Sequence, residues 1–183
     1  MKTCHLLLRS PLLPGESLPS YLVRLAKLNG YHTPNLVIQL CQERLSQPDI
    51  ITRPTRAETY AQLTELTKLD DDRLYAASAH ILAITILPAG TEPELIALRS
   101  GVGVALLPSA VLRQHLWPET DAQFCPHCLA EASYHRLAWL PQAVSACLAH
   151  RCLLVKGCPI CGEKLKTGDV VEGRCGRCDF VTR

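Results

Sequence analysis

Apolar side chains near the start of the chain recur every three or four positions, which is the spacing of one buried face of an α-helix. The clearest stripe follows Ser17, a favourable N-cap, carries Pro19 in its first turn and stops at Asn29–Gly30. Its apolar members are Leu18, Tyr21, Leu22, Leu25 and Leu28. The pattern therefore predicts a first helix over residues 18–28.

Three further helix starts follow in the same part of the chain. Thr33–Pro34 opens the second helix, the capping-box pair Thr55 and Glu58 opens the third, and Asp70 caps the fourth. The last two are so close that they resemble a helix-turn-helix. The two aspartates that follow Asp70 would repel phosphates, so we expect a helical domain that binds protein rather than one that reads bases.

Residues 80–121 carry no motif with recognisable chemistry. Residues 81–87 are apolar enough for a helix or a strand, residues 92–99 predict a short helix, and residues 112–117 predict a linker helix that ends at Pro118. We expect residues 1–121 to form a mainly α, helix-turn-helix-like domain that includes this linker.

The pattern changes after Phe124, where eight Cys and His side chains occur in four pairs with two residues between the members of each pair. Such a pair places two ligands on one tight turn, and two turns close a tetrahedron around Zn²⁺. The spacing predicts two structural zinc ions, one bound by Cys125, Cys128, Cys147 and His150 and one by Cys158, Cys161, Cys175 and Cys178. We expect residues 122–183 to form a small α+β tandem zinc-ribbon module.

Each predicted site has four protein ligands, the closed set of structural zinc, whereas catalytic zinc keeps an open position. Cys152 is a spare donor that could replace His150; otherwise it is a small buried residue. His127, inside the first pair, should point away from the metal. No nucleophile elbow, phosphate loop or open metal site accompanies the pairs, so no catalytic residue is predicted and a zinc hydrolase or nuclease is disfavoured.

Composition and charge limit the cellular compartment and the nucleic-acid contacts that we expect. The ten cysteines are clustered and the N-terminus lacks an apolar segment of signal-peptide length, so we expect reduced thiols in a cytoplasmic protein and no membrane span. The two zinc sites contribute −1 and −2, which lowers the formal charge of +2 to about −1. No basic field remains, so any nucleic-acid contact would be local; the candidates are Arg136, Lys164, Arg174 and Arg177.

Two stretches of the chain carry longer motifs. Residues 14–30 begin Pro-Gly-Glu-Ser-Leu-Pro-Ser-Tyr-Leu and continue as a leucine-containing helix that ends at Asn-Gly. Residues 124–161 contain Phe-Cys-Pro-His-Cys-Leu-Ala-Glu, then Tyr-His-Arg-Leu-Ala-Trp, Cys-Leu-Ala-His and Gly-Cys-Pro-Ile-Cys. The two stretches resemble the TniQ family, stand in that family's order and together span most of the chain. Cys152 is a departure, because relatives more often carry a small or apolar residue there.

The resemblance implies a helix-turn-helix-like domain followed by zinc ribbons, and a non-enzymatic adaptor of DNA transposition. Such an adaptor connects a target-recognition complex to an AAA+ ATPase, which then recruits the transposase. The chain is as short as members found in CRISPR-associated transposons, which implies an RNA-guided CRISPR effector as partner and contacts with the guide-RNA or DNA backbone. The alternative is an autonomous zinc-containing DNA-binding regulator.

Overall fold

A computed structural model describes residues 6–32, 57–79, 81–82, 97–98, 105–106, 122–141 and 143–181. The helices are α1 (Leu18–Leu28), α2 (Ala57–Thr67), α3 (Asp71–Ala76), α4 (Pro126–Glu131) and α5 (Thr167–Glu172), with a 3₁₀ turn at Leu137–Trp139. The strands are β1 (Ala97–Leu98), β2 (Ala105–Leu106), β3 (Gln123–Phe124), β4 (Ala146–Cys147), β5 (Cys152–Leu153) and β6 (Val155–Lys156). Strand β1 pairs with β2, β3 with β6 and β4 with β5, all antiparallel.

Some predicted elements cannot be compared with this structure. The helix expected from Thr33 and the linker helix at residues 112–117 lie outside the described residues. The short helix predicted over residues 92–99 is wrong at its end, because residues 97–98 pair as strand β1 with β2. Across the described ranges, no helix is long and apolar enough to cross a membrane.

Helix α1 has the ends that the sequence predicts. The Ser17 hydroxyl accepts a hydrogen bond from the Ser20 N–H at 3.4 Å, which satisfies one free donor of the first turn. At the other end the Asn29 amide donates to the Leu25 carbonyl at 2.9 Å, and Gly30 takes a left-handed φ of +76°. The apolar stripe is buried except for Leu28, which is exposed.

Helices α2 and α3 complete the first apolar core. Leu63 and Leu66 of α2 and Leu74 of α3 are buried against the stripe of α1. The predicted N-cap of α3 is confirmed, because the Asp70 carboxylate accepts a hydrogen bond from the Arg73 N–H at 2.8 Å. Three residues join the two helices. The expectation that they form a helix-turn-helix stays a prediction.

A second apolar core forms around the cysteine pairs. Its largest members are Phe124, Leu129, Trp139, Leu154 and Leu165. Trp139 belongs to the same core as Cys125 and Cys147. Helix α5 lies alongside α1, so the last described helix contacts the first across the two cores.

Residues 14–17 pair side by side with residues 134–137, and we call this pairing the latch. Its main-chain hydrogen bonds run from the N–H of Ser17 to the carbonyl of His135 (2.9 Å) and from the N–H of Leu137 to the carbonyl of Gly15 (2.8 Å). Glu16 and Arg136 stand opposite each other as an antiparallel bridge. The latch therefore joins the two motifs that resemble TniQ proteins.

The carboxylate of Glu16 lies at the centre of the latch and is 1% exposed. The Arg24 guanidinium donates to both of its oxygens at 2.7 Å. The Ser20 hydroxyl donates to Oε1 at 2.9 Å, and the Leu13 N–H donates to Oε2 at 3.1 Å. The buried charge is tolerated because it is paired and both oxygens accept hydrogen bonds.

His135 is buried in the same region, 1% exposed. Its Nδ1 lies 3.1 Å from the Ser17 hydroxyl, and its ring meets the edge of Trp139 with centroids 5.3 Å apart. Burial lowers the pKa of His135 from its ordinary 6.5 to about 4. The imidazole is therefore neutral in the folded protein at pH 7.

Replacing Glu16 with Gln should lower the free energy of unfolding by about 2 to 4 kcal/mol, because the guanidinium of Arg24 would keep its burial and lose its counter-charge. Urea unfolding at pH 7 measures the change. Arg73→Gln is the matched control, since it removes an ion pair whose side chains are 70% and 61% exposed, and it should cost less than about 0.5 kcal/mol. Equal effects of the two substitutions would contradict this role of Glu16.

Stability should fall between pH 6.5 and 4 because of His135. Its folded pKa lies below the unfolded value, so the unfolded chain binds a proton in that window that the folded protein rejects. The stabilisation is complete above pH 6.5 and about 3 kcal/mol is lost by pH 4. Unfolding measured across the window should show a shallower pH slope for His135→Gln than for the exposed control His32→Gln. An unchanged slope in His135→Gln would show that the buried imidazole does not control the acid sensitivity.

Candidate metal centre

The four predicted ligands of the first site lie together. Nδ1 of His150 is 3.6 Å from the sulfur of Cys125, 3.2 Å from that of Cys128 and 3.7 Å from that of Cys147. The sulfurs of Cys128 and Cys147 are 3.6 Å apart. Ligands of a tetrahedral zinc, each about 2.3 Å from the ion, lie about 3.8 Å from one another. The observed spacing therefore fits a tetrahedral metal ion.

Two local structures bring these donors together. Cys125 is the N-cap residue of α4 and Cys128 lies in its first turn, so the helix start delivers two sulfurs. The β4–β5 hairpin delivers the other two donors, and its register sets Cys147 opposite Cys152. Arg151 closes the hairpin with a φ of +50°, a backbone conformation in which the chain reverses sharply directly after His150.

The four predicted ligands of the second site also lie close together. The sulfurs of Cys158 and Cys178 are 3.6 Å apart and those of Cys161 and Cys175 are 3.7 Å apart, with all four within 4.8 Å of one another. The turn before this cluster requires Gly157, which has a φ of +85° and would place a Cβ 3.0 Å from a main-chain carbonyl. Helix α5 separates the two cysteine pairs.

The sulfurs in each cluster cannot all ionise easily without a cation. Burial raises the pKa of Cys128, and hydrogen bonds with Cys147 and Cys125 bring it to about 12. Burial also raises the pKa of Cys158, but N–H groups of Cys161 and Ile160 outweigh it and lower the pKa to about 7. Because a divalent cation would hold all the thiolates at once, both donor sets fit a bound metal ion.

Glu131 contacts the first cluster, although the ligand spacing does not identify it. Its Oε1 accepts a hydrogen bond from Nε2 of His150 at 3.0 Å, on the side of the ring away from the sulfurs. The only sequence signal for it is position, because Glu131 follows Cys128 by three residues and so lies on the same side of α4.

Two further potential metal donors, Cys152 and His127, lie outside the donor group of the first cluster. The sulfur of Cys152 is 3.5 Å from that of Cys125, but Cys152 does not belong to the group whose donor atoms all lie within 4.8 Å. His127 is exposed and does not belong to the group either. The arrangement therefore favours His150 as the fourth donor.

The four basic candidates for nucleic-acid contact occupy different settings. Lys164 and Arg174 are exposed. Arg177 is exposed and donates to the Glu163 carboxylate at 3.0 Å. Arg136 is partly buried over the ring of Tyr134, 4.8 Å from its centroid.

If His150 is the fourth donor, Cys152→Ser should bind metal like the unmodified chain and keep the same Co²⁺ absorption spectrum. Cys125→Ser should lose one of two metal ions per chain, because it removes a sulfur that lies within 3.6 Å of Nδ1 of His150. Metal content after dialysis and the Co²⁺ spectrum measure both variants. Loss of metal from Cys152→Ser would show that this thiol is a ligand.

Comparison with known protein families supports the resemblance carried by the two motifs that the latch joins. A search of curated proteins found no match for the chain. The model of the TniQ family matches residues 7–154, a span that contains the latch and the first metal cluster and ends before the second cluster. The match covers most of the chain, and the chain therefore belongs to the TniQ family, whose members are non-catalytic adaptors of DNA transposition.

Proposed function

We propose that this protein is a non-enzymatic adaptor that links a target-recognition complex to an AAA+ transposition ATPase and so directs insertion of transposon DNA. The observation that carries the proposal is the TniQ match over residues 7–154, which runs through both apolar cores. The two metal clusters support a structural role, because each offers four protein donors and leaves no open position for a substrate.

The ions proposed for both clusters are Zn²⁺. Sets of three thiolates with one imidazole, or of four thiolates, suit a tetrahedral ion that accepts soft ligands. Zinc has no redox chemistry of its own, which agrees with a role in holding turns in place. When bound, it supplies folding free energy to the C-terminal part of the chain.

A protein partner is supported by apolar side chains on the turns that carry the ligands. Leu148 lies between Cys147 and His150 and is 93% exposed, and Leu153 on the same hairpin is 75% exposed. Large exposed apolar side chains close together are typical of surfaces that bind other proteins. We assign this hairpin to contact with the ATPase.

The target-recognition complex is proposed to be an RNA-guided CRISPR effector in a bacterial cytoplasm. Lys164, Arg174 and Arg177 are exposed cations on the second metal unit, and we assign them to the backbone of guide RNA or DNA. Arg136 is partly buried over the Tyr134 ring and donates to the Tyr134 hydroxyl, so we assign it to contacts within the molecule instead. The paired helices α2 and α3 are proposed as a helix-turn-helix that contacts protein.

The adaptor role predicts co-migration of the purified chain with the AAA+ ATPase assembled on duplex DNA, measured by sedimentation or size-exclusion chromatography. Alone, the chain should bind DNA weakly, because it carries no dominating basic field. Leu148→Asp should weaken the co-migration at least tenfold, whereas Leu28→Asp, which alters another exposed leucine, should leave it unchanged.

A different outcome would favour the alternative function. Tight, sequence-specific binding of duplex DNA by the chain alone, without co-migration with the ATPase, would identify an autonomous DNA-binding regulator and overturn the adaptor role. Equal weakening of the co-migration by both leucine substitutions would contradict the assignment of the hairpin to the ATPase contact. The adaptor role would still stand.

A further inference from the structure

We propose that Glu131 is a positioning residue for the first metal site and that it couples this site to the latch. The inference rests on the zinc proposed for that site. Three observations carry it: the contact of Glu131 with His150, the chain of polar contacts from Glu131 to Pro14, and the position of Glu131 at the end of the helix that Cys125 caps.

The first step concerns the orientation of the imidazole. Nδ1 of His150 faces three sulfurs, so the ring proton must reside on Nε2 when Nδ1 binds a metal. Nε2 lies 3.0 Å from Oε1 of Glu131, which accepts that proton's hydrogen bond. A carboxylate in this position fixes both the tautomer and the ring plane of a ligand histidine.

The second step continues from the other carboxylate oxygen. Oε2 of Glu131 lies 3.9 Å from a guanidinium nitrogen of Arg136. Another nitrogen of Arg136 donates to the Tyr134 hydroxyl at 2.9 Å, and that hydroxyl donates to the Pro14 carbonyl at 2.9 Å. Pro14 begins the latch, so hydrogen bonds and one ion pair, the 3.9 Å contact of Glu131 with Arg136, connect His150 to the N-terminal part of the molecule.

The third step is the geometry of α4. This helix carries Cys125 and Cys128 at its start and Glu131 at its end. A metal ion held by the two sulfurs fixes the helix, and the helix in turn fixes the carboxylate that orients His150 and attracts Arg136. Loss of the metal should therefore loosen the latch as well as the hairpin.

The first measurement is zinc affinity of the full chain, by competition with a chromophoric chelator, with Co²⁺ spectra to distinguish a Cys₃His site from a Cys₄ site. Glu131→Ala should weaken one of the two sites about 10- to 100-fold and change the Co²⁺ bands of the Cys₃His site only. Glu131→Gln, which keeps an accepting oxygen, should recover part of the loss. Glu163→Ala is the matched control, because Glu163 lies beside the second cluster and its carboxylate binds Arg177.

The outcomes separate the two proposals. If the unmodified chain binds fewer than two zinc ions, the zinc assignment fails and this inference fails with it. If it binds two and Glu131→Ala retains them as tightly as Glu163→Ala does, the inference alone is overturned.

The second measurement is hydrogen exchange at the two latch amides, those of Ser17 and Leu137. Removing zinc from the unmodified chain should speed both at least tenfold. Tyr134→Phe should hold zinc normally and still speed both amides, because it removes the hydroxyl that reaches Pro14. Exchange at the unmodified rate in zinc-bound Tyr134→Phe would show that the polar chain carries no coupling.

Discussion

The rest of the structure depends on the burial of the Glu16 carboxylate. A carboxylate removed from water is stable only where a cation and hydrogen-bond donors surround it, and Arg24, Ser20 and the Leu13 N–H are held in one place by that requirement. Ser20 also accepts a hydrogen bond from the His135 N–H at 3.0 Å. The Glu16 charge therefore fixes both the segment that leads into α1 and the segment around His135. The Gly-Glu-Ser motif is thereby explained: Gly15 has a φ of +67°, Glu16 supplies the charge and Ser17 caps the helix.

The features that could be predicted from the sequence depend on residues that are close together along the chain. The caps Ser17 and Asp70 act on residues three positions away, and the Cys and His donors come in pairs on single turns, so spacing alone predicted the caps and the two clusters that could hold a metal ion. The latch could not be predicted in this way, because it pairs residues more than 100 positions apart and its side chains look ordinary in isolation. Glu131 was missed for a related reason: a carboxylate that orients a ligand has no spacing rule of its own.

The first metal cluster and the latch are connected by shared packing. The first cluster shares an apolar core with Phe124 and Trp139, and the Trp139 ring meets His135 beside Ser17. The second cluster lies beyond the residues that the family model matches, yet α5 beside it packs on α1. The Ala122 N–H donates to the Leu165 carbonyl at 2.7 Å, which ties the two metal units together. The C-terminal unit therefore supports the helix on which the family motif begins.

The distance along the chain between the two halves of the latch has a consequence for how the protein is made. Ser17 and His135 are 118 positions apart, so a ribosome that adds about 5 to 20 residues per second needs about 6 to 24 seconds to deliver the second after the first. During that interval the Glu16 carboxylate can be paired by Arg24 but cannot be enclosed, and the Ser17 N–H lacks its acceptor. The nascent N-terminal helices are then exposed with an incomplete core, and completion of the fold waits for the residues that also form the first Cys/His cluster.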